Sequence, residues 1–89
     1  MEFNIEGFED KFKRIARTLE LKEETGSAVV KYLFDLNSKI NIPHKLNAIG
    51  VKQEHIDPLA DLAIADFAHP NNPKPVSRED FRNLYLKAL

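Results

Sequence analysis

Apolar residues in this chain recur at intervals of three and four, and no stretch sustains the two-residue alternation of a strand. That spacing confines the fold to helices. Phe8, Phe12, Ile15, Ala16 and Leu19 stand at i, i+4, i+7, i+8 and i+11, which predicts a helix from about Gly7 to Leu21. Glu6, Glu9 and Asp10 come early in it and Lys13, Arg14 and Arg17 late, the order that complements a helix dipole. Val29, Tyr32, Leu33, Leu36 and Ile40 mark a second helix from about Glu23 to Asn41. Gly26 near its start costs up to ~1 kcal/mol relative to alanine if helical, or else permits the close approach of a neighbouring backbone. Ile42 precedes Pro43, and residues before proline avoid the α region, so this helix stops around Lys39–Asn41.

Pro43 reads as the first residue of a short helix running to Ala48, with Gly50 as its left-handed terminator and Leu46 and Ile49 facing the core. Gln53–His55 suggests a single turn. Asp57-Pro58 has the form of an N-cap followed by proline at the first helical position, and Leu59, Leu62, Ala63, Asp66 and Phe67 continue at helical spacing until near Ala68. Between His69 and Val76 lie Pro70, Pro73 and Pro75, which predict an extended loop with neither helix nor central strand. Ser77 and Asp80 frame a capping box, and Phe81, Leu84, Tyr85 and Ala88 carry the last helix to the chain end. The expected fold is all-α: a small bundle of four main helices plus one or two short ones, forming a single helical domain over residues 1–89.

Chemistry is harder to find. Thirteen basic residues against fourteen acidic ones leave a net charge of −1, which disfavours nucleic acid as a partner. Cysteine is absent, removing disulfides, thiolate metal sites and a cysteine nucleophile. No apolar run approaches the ~18 residues of a membrane span, and the first residues lack the basic and apolar regions of a signal peptide. The expectation is a cytoplasmic chain with no membrane partner. His44, His55 and His69 are too far apart for two of them to share adjacent turns of one helix. Glu9, Asp10, Glu23, Glu24, Asp57, Glu79 and Asp80 sit where caps and first turns want acids, and Asp61 and Asp66, five apart, point to different faces. Ser27, Ser38 and Ser77 have no nucleophile-elbow context, and Gly7, Gly26 and Gly50 form no phosphate cradle. Lys11, Lys13, Arg14 and Arg17 read as a solvated basic face, and the Phe and Tyr residues on the stripes as core. Catalytic, cofactor-binding and metal-binding residues are all expected to be absent.

Four segments nevertheless resemble, in order, the C-terminal end of the iron-containing (group III) alcohol dehydrogenases. Met1-Glu-Phe-Asn4 resembles the end of that family's "LPHVMxFN" segment, and Phe12–Ala16 the helix that follows. Asn41-Ile-Pro43, Leu46, Ile49-Gly50-Val51 and Asp57 resemble "NIPxxLxxxGV…D". Ala65-Asp66, Asn72–Val76, Ser77–Asp80 and Tyr85–Leu89 resemble "AD…NPRPVTxED…LYxxAL", with Lys74 where arginine is usual and His-Pro-Asn preceding Asn72.

The resemblance implies a C-terminal helical part of an enzyme whose preceding α/β domain binds NAD(P). A divalent metal, commonly iron, held in the helical domain by one Asp and three His, would polarise the alcohol as hydride passes to the nicotinamide. Those ligands and the Gly-rich pyrophosphate loop belong upstream of the segment that Met1–Asn4 resembles, so iron and NAD(P) are implied for the complete enzyme but not for this chain. The resemblance also matches Ala68–Pro70 to a loop that approaches the cleft beside the substrate channel, which makes Phe67, Ala68 and His69 the candidate channel-lining residues. The implied partners are the remainder of the dehydrogenase chain, or a second copy through exposed apolar surface. An alternative is a stand-alone helical module that derives from that domain and works by binding another protein.

Overall fold

The computed structural model describes all 89 residues, entirely as helices and loops. Two compact units, Met1–Ile42 and Pro43–Leu89, divide the chain. No helix is long and apolar enough to cross a membrane.

In the first unit a 3-10 turn at Glu2–Asn4 precedes two helices, α1 (Glu9–Thr18) and α2 (Gly26–Lys39). Phe12 and Ala16, one turn apart on α1, bury against Val29 of α2, and Ile5, Phe8, Leu21 and Leu33 close around them. Burying a phenylalanine or valine side chain contributes about 1.5–3 kcal/mol, and small Ala16 lets the neighbouring helix come near. Gly26 is buried at the first turn of α2 because the side chain of Ile5 occupies the place of its missing Cβ, 2.8–2.9 Å away. The close approach anticipated for Gly26 is thus made by a side chain. Thr25 caps α2, its Oγ1 accepting the Ala28 N–H at 3.1 Å.

Both helices of this unit end in a Schellman arrangement built on a residue other than glycine. Glu20 (φ 57°) follows α1, with the Leu21 N–H on the Ala16 carbonyl and the Glu20 N–H on the Arg17 carbonyl, each 3.0 Å. Asn41 (φ 61°) follows α2, with the Ile42 N–H on the Asn37 carbonyl at 2.9 Å and the Asn41 N–H on the Ser38 carbonyl at 3.2 Å. These closures make both helices shorter at their C-terminal ends than their apolar stripes.

The second unit opens with a 3-10 turn at Leu46–Ile49 that stops at Gly50, whose φ of 93° is the left-handed geometry expected of it. Pro43 does not start that turn. Lys45 is still extended, helical geometry begins only at Leu46, and Ile49 is 65% exposed instead of facing a core. A further 3-10 turn, Gln53–His55, runs directly into α3 (Ile56–Ala65), so Asp57 lies inside the first turn and is not the N-cap. Proline is tolerated there because the first-turn N–H groups have no helical acceptor. The helix stops three residues short of Ala68. Ile56 and Ala60, four apart on α3, are its buried residues.

The final helix, α4 (Arg78–Ala88), begins at the capping box: Ser77 Oγ accepts the Asp80 N–H at 3.1 Å and the Asp80 carboxylate accepts the Ser77 N–H at 2.9 Å. α4 packs along α3 in the antiparallel sense. Asp57 meets Arg82 at 3.0 Å while Asp61 meets Arg78, so residue numbers rise along one helix as they fall along the other. The loop expected to be wholly extended contains one 3-10 turn, His69–Asn71, with Pro70 near its start, since a single turn of that kind needs no N–H from proline.

Candidate functional site

The loop after α3 carries the three candidate channel residues, and the structure gives them different environments. Asp66 leaves the helix in an extended conformation and accepts the Ala68 N–H on its Oδ1 at 2.6 Å, a side-chain turn that bends the chain at once. Phe67, at the crest of that bend, is 90% exposed, and Ala68 beside it is exposed too. His69 is half-buried. Its Nε2 lies 3.0 Å from the Ile64 carbonyl oxygen, and its ring meets Phe81 of α4 edge-on, with centroids 5.6 Å apart and planes at 82°. A carbonyl oxygen only accepts, so Nε2 carries the hydrogen. The Ile64 carbonyl is one of the four that an α-helix leaves without an internal partner at its end.

Downstream, the Asn72 side-chain amide donates to the Lys74 carbonyl at 2.6 Å, while the Asn71 and Asn72 N–H groups bond back to the Ala68 and His69 carbonyls at 3.0 Å. His69, Asn72, Val76 and the prolines wall an open hollow of about 430 Å³. Asp66 and Asn72 shape this loop by binding its backbone, a role assigned to neither of them from the sequence. The signal that could have found them was their position, one at a helix end and one before a proline, where short polar side chains bind backbone.

The other histidines take separate roles. His55 accepts the Lys52 N–H on Nδ1 at 3.1 Å and has the Glu54 carboxylate 3.8 Å from Nε2, whereas His44 is exposed on the approach to the 46–49 turn. No three His, Asp or Glu side chains gather where they could hold a metal ion. An iron centre therefore does not fit the residues of this chain.

The strongest electrostatic feature is structural. The Arg78 guanidinium, bonded to Asp61, holds that carboxyl below the usual aspartate range, and Asp61 in turn raises Arg78. The Ser77 backbone and hydroxyl lower Asp80 in the same way, and backbone N–H groups at Glu9 and Gly7 lower Glu9. Asp61 and Asp66 form no acid–base pair, since the first is bonded to Arg78 and the second to the Ala68 N–H. On the basic face of α1, Arg17 reaches Glu24 at 2.7 Å and Lys11 lies 5.3 Å from the centre of the Phe8 ring. The aromatic residues divide: Phe12 is core, but Tyr32, Phe34 and Phe67 are exposed, correcting the expectation that all of them pack inward. A stripe needs a facing surface along its whole width, and α2 has one α-helical neighbour within its unit.

The full length of the chain, residues 1–89, matches the family described as Fe-containing alcohol dehydrogenase family, C-terminal. The chain belongs to this family. It is 34% identical to the lactaldehyde reductase of Escherichia coli (strain K12) over 94 aligned positions, covering 99% of this chain and 25% of that protein. Identity to the 4-hydroxybutyrate dehydrogenase of Cupriavidus necator is 26%, covering 91% of this chain and 21% of that protein. To the NADPH-dependent butanol dehydrogenase of Clostridium saccharobutylicum it is 22%, covering 96% and 24%. The chain spans about a quarter of the length of the curated relatives it matches. It is the C-terminal segment of the iron-containing alcohol dehydrogenases, and its all-helical fold agrees with that placement.

Proposed function

We propose that this chain serves as the helical C-terminal part of an iron-dependent alcohol dehydrogenase that interconverts alcohols and aldehydes with NAD(P) in the cytoplasm. The match of all 89 residues to the C-terminal family description is the observation that carries the reading. One feature of the structure supports it. The chain exposes large apolar side chains, among them Tyr32, Phe34, Leu36 and Ile40 in the first unit and Leu62 and Phe67 in the second. Exposed apolar area of this kind marks a surface made to be covered. The remainder of the dehydrogenase is the proposed cover, with self-association as the outcome when it is missing.

In that setting the chain contributes scaffold and channel wall. Phe67 and Ala68 would present apolar surface to the carbon skeleton of the alcohol, while metal and nicotinamide are held by other segments. Elemental analysis for iron and an assay of NAD(P)-linked alcohol oxidation on the purified 89-residue chain test this directly. Neither metal nor turnover is expected from the chain by itself. Stoichiometric iron together with turnover would overturn the reading.

A further inference from the structure

We propose that His69 is a positioning residue, fastening the loop after α3 between two helices so that Phe67 is held outward as a fixed apolar contact for the substrate channel. What Phe67 meets rests on the dehydrogenase reading; how Phe67 is held rests on the structure alone.

A phenylalanine that is 90% exposed gains nothing from its own fold and does not hold its loop in place. Its orientation must come from neighbours. The Asp66 and Asn72 bonds are local, each joining residues two apart. His69 reaches further: its Nε2–H returns five residues to the Ile64 carbonyl on α3, and its ring meets Phe81 on α4. One side chain therefore ties the loop to both helices of the unit, two residues from the exposed phenylalanine. The site asks for a flat ring and an N–H donor together. Phenylalanine in place of His69 would supply the ring and leave the carbonyl unpaired, while glutamine would supply the donor. The Asp66 turn then fixes Phe67 and Ala68, the two residues between Asp66 and this anchor, so turning Phe67 inward strains the Asp66 and His69 contacts.

Chymotrypsin reads the arrangement in the full 89-residue chain, because it cleaves after Phe67 and needs the surrounding backbone to open. The measured quantity is cleavage at Phe67–Ala68 relative to cleavage after Phe34, with helical circular dichroism as the folding control. His69→Ala should raise that ratio about tenfold, as expected for a lost hydrogen bond that leaves a carbonyl unpaired. His69→Gln should return it to within about threefold of the parent chain, a rescue that bulk packing at this position would not give. Should His69→Ala lose its helical signal, His69→Phe takes its place and the same ratio is expected to rise. A ratio unmoved by removing the donor overturns the positioning role, whatever a dehydrogenase assay shows. In the complete enzyme containing this chain, His69→Ala should raise KM for the alcohol several-fold with KM for the nucleotide unchanged. A loosened loop with an unmoved alcohol KM would leave Phe67 outside the channel and overturn the proposal from that side.

Discussion

Replacing Gly26 by alanine sets two effects of opposite sign against each other. Alanine is the better helix former, by about 0.8–1.0 kcal/mol in a helix interior, and Gly26 is the first residue of α2, so propensity alone predicts stabilisation of up to that amount. The methyl group, however, would meet Ile5 Cγ2 at 2.8 Å and Cδ1 and Cγ1 at 2.9 Å. Unbonded carbons prefer about 3.5–4.0 Å. Two of the three atoms are attached to the β-branch of Ile5, whose χ1 is stiff, so rotation of a flexible tip does not relieve the contact. Overpacking of this kind costs about 1–3 kcal/mol. The clash outweighs the propensity, and Gly26→Ala should destabilise the chain by up to about 2 kcal/mol.

Urea unfolding followed by circular dichroism gives the sign, and an Ile5→Ala background gives the cause. With the three offending atoms removed, the same Gly26→Ala substitution should become neutral or stabilising, so the double-mutant cycle should show a coupling of about 1–3 kcal/mol. A Gly26→Ala chain that is more stable than its parent, or a cycle with no coupling, would refute the account of why glycine stands at that position.

Three further outcomes follow from the helix ends and the charges. Glu20→Gly relieves a left-handed backbone at the end of α1 while keeping both closing hydrogen bonds, and should raise the urea midpoint by the equivalent of about 0.5–1 kcal/mol. Ser77→Ala removes the acceptor of the Asp80 N–H and a donor to the Asp80 carboxylate, and should cost about 1–2 kcal/mol in the same measurement. Asp61, Asp80 and Glu9 all have lowered carboxyl pKa values. The folded state therefore binds protons less readily than the unfolded chain. The stabilisation is complete above the ordinary carboxylate range of about 4 and is lost as pH falls through the lowered folded values. Acid titration of the urea midpoint should show this loss below about pH 4, and Asp61→Asn should flatten part of it.

Helix existence was legible in the sequence because the apolar spacing that defines a stripe is local, as were the Ser77 capping box and the left-handed Gly50. Helix ends were legible only where a residue type announces them. Nothing in Glu20 signals a left-handed terminator, since glutamate seldom takes that conformation. The geometry there is imposed by Leu21, which packs against the core formed by Phe12, Ala16 and Val29 and so draws the chain back across the helix end. Asp57-Pro58 misled in the opposite direction. The pair has the form of a helix start, but the 3-10 turn ahead of it supplies a start two residues earlier, and the Asp57 carboxylate bonds Arg82 on another helix. The candidate site followed the same pattern. Resemblance pointed to residues 67–69 together, yet the opposite orientations of Phe67 and His69 depend on Ile64 and Phe81, whose positions beside the loop exist only once α3 and α4 have packed.

Which stripe residues are buried was the least legible property, and geometry explains why. An apolar stripe subtends about 100° or more of a helix, whereas a single neighbouring helix covers only part of that arc. In the first unit α1 and α2 are each other's only α-helical neighbour, and the inner part of each stripe, Phe12 and Ala16 facing Val29, is buried. Ile15, Tyr32, Leu36 and Ile40 stand at stripe positions just as regular and remain exposed. In the second unit Ile56 and Ala60 are buried, while Leu62 on the same helix is 69% exposed. Periodicity thus reports how much surface a helix is built to cover without saying what covers it. Here the stripes are wider than the contacts within each unit can use, and that surplus supports the proposal of a larger dehydrogenase around the chain. If it is correct, the surplus positions should tolerate polar replacement in the isolated chain. Leu36→Gln and Leu62→Gln should change the urea midpoint by less than the equivalent of about 0.5 kcal/mol while reducing self-association in sedimentation. A large loss of stability from either substitution would show that the residue already belongs to a core within its own unit.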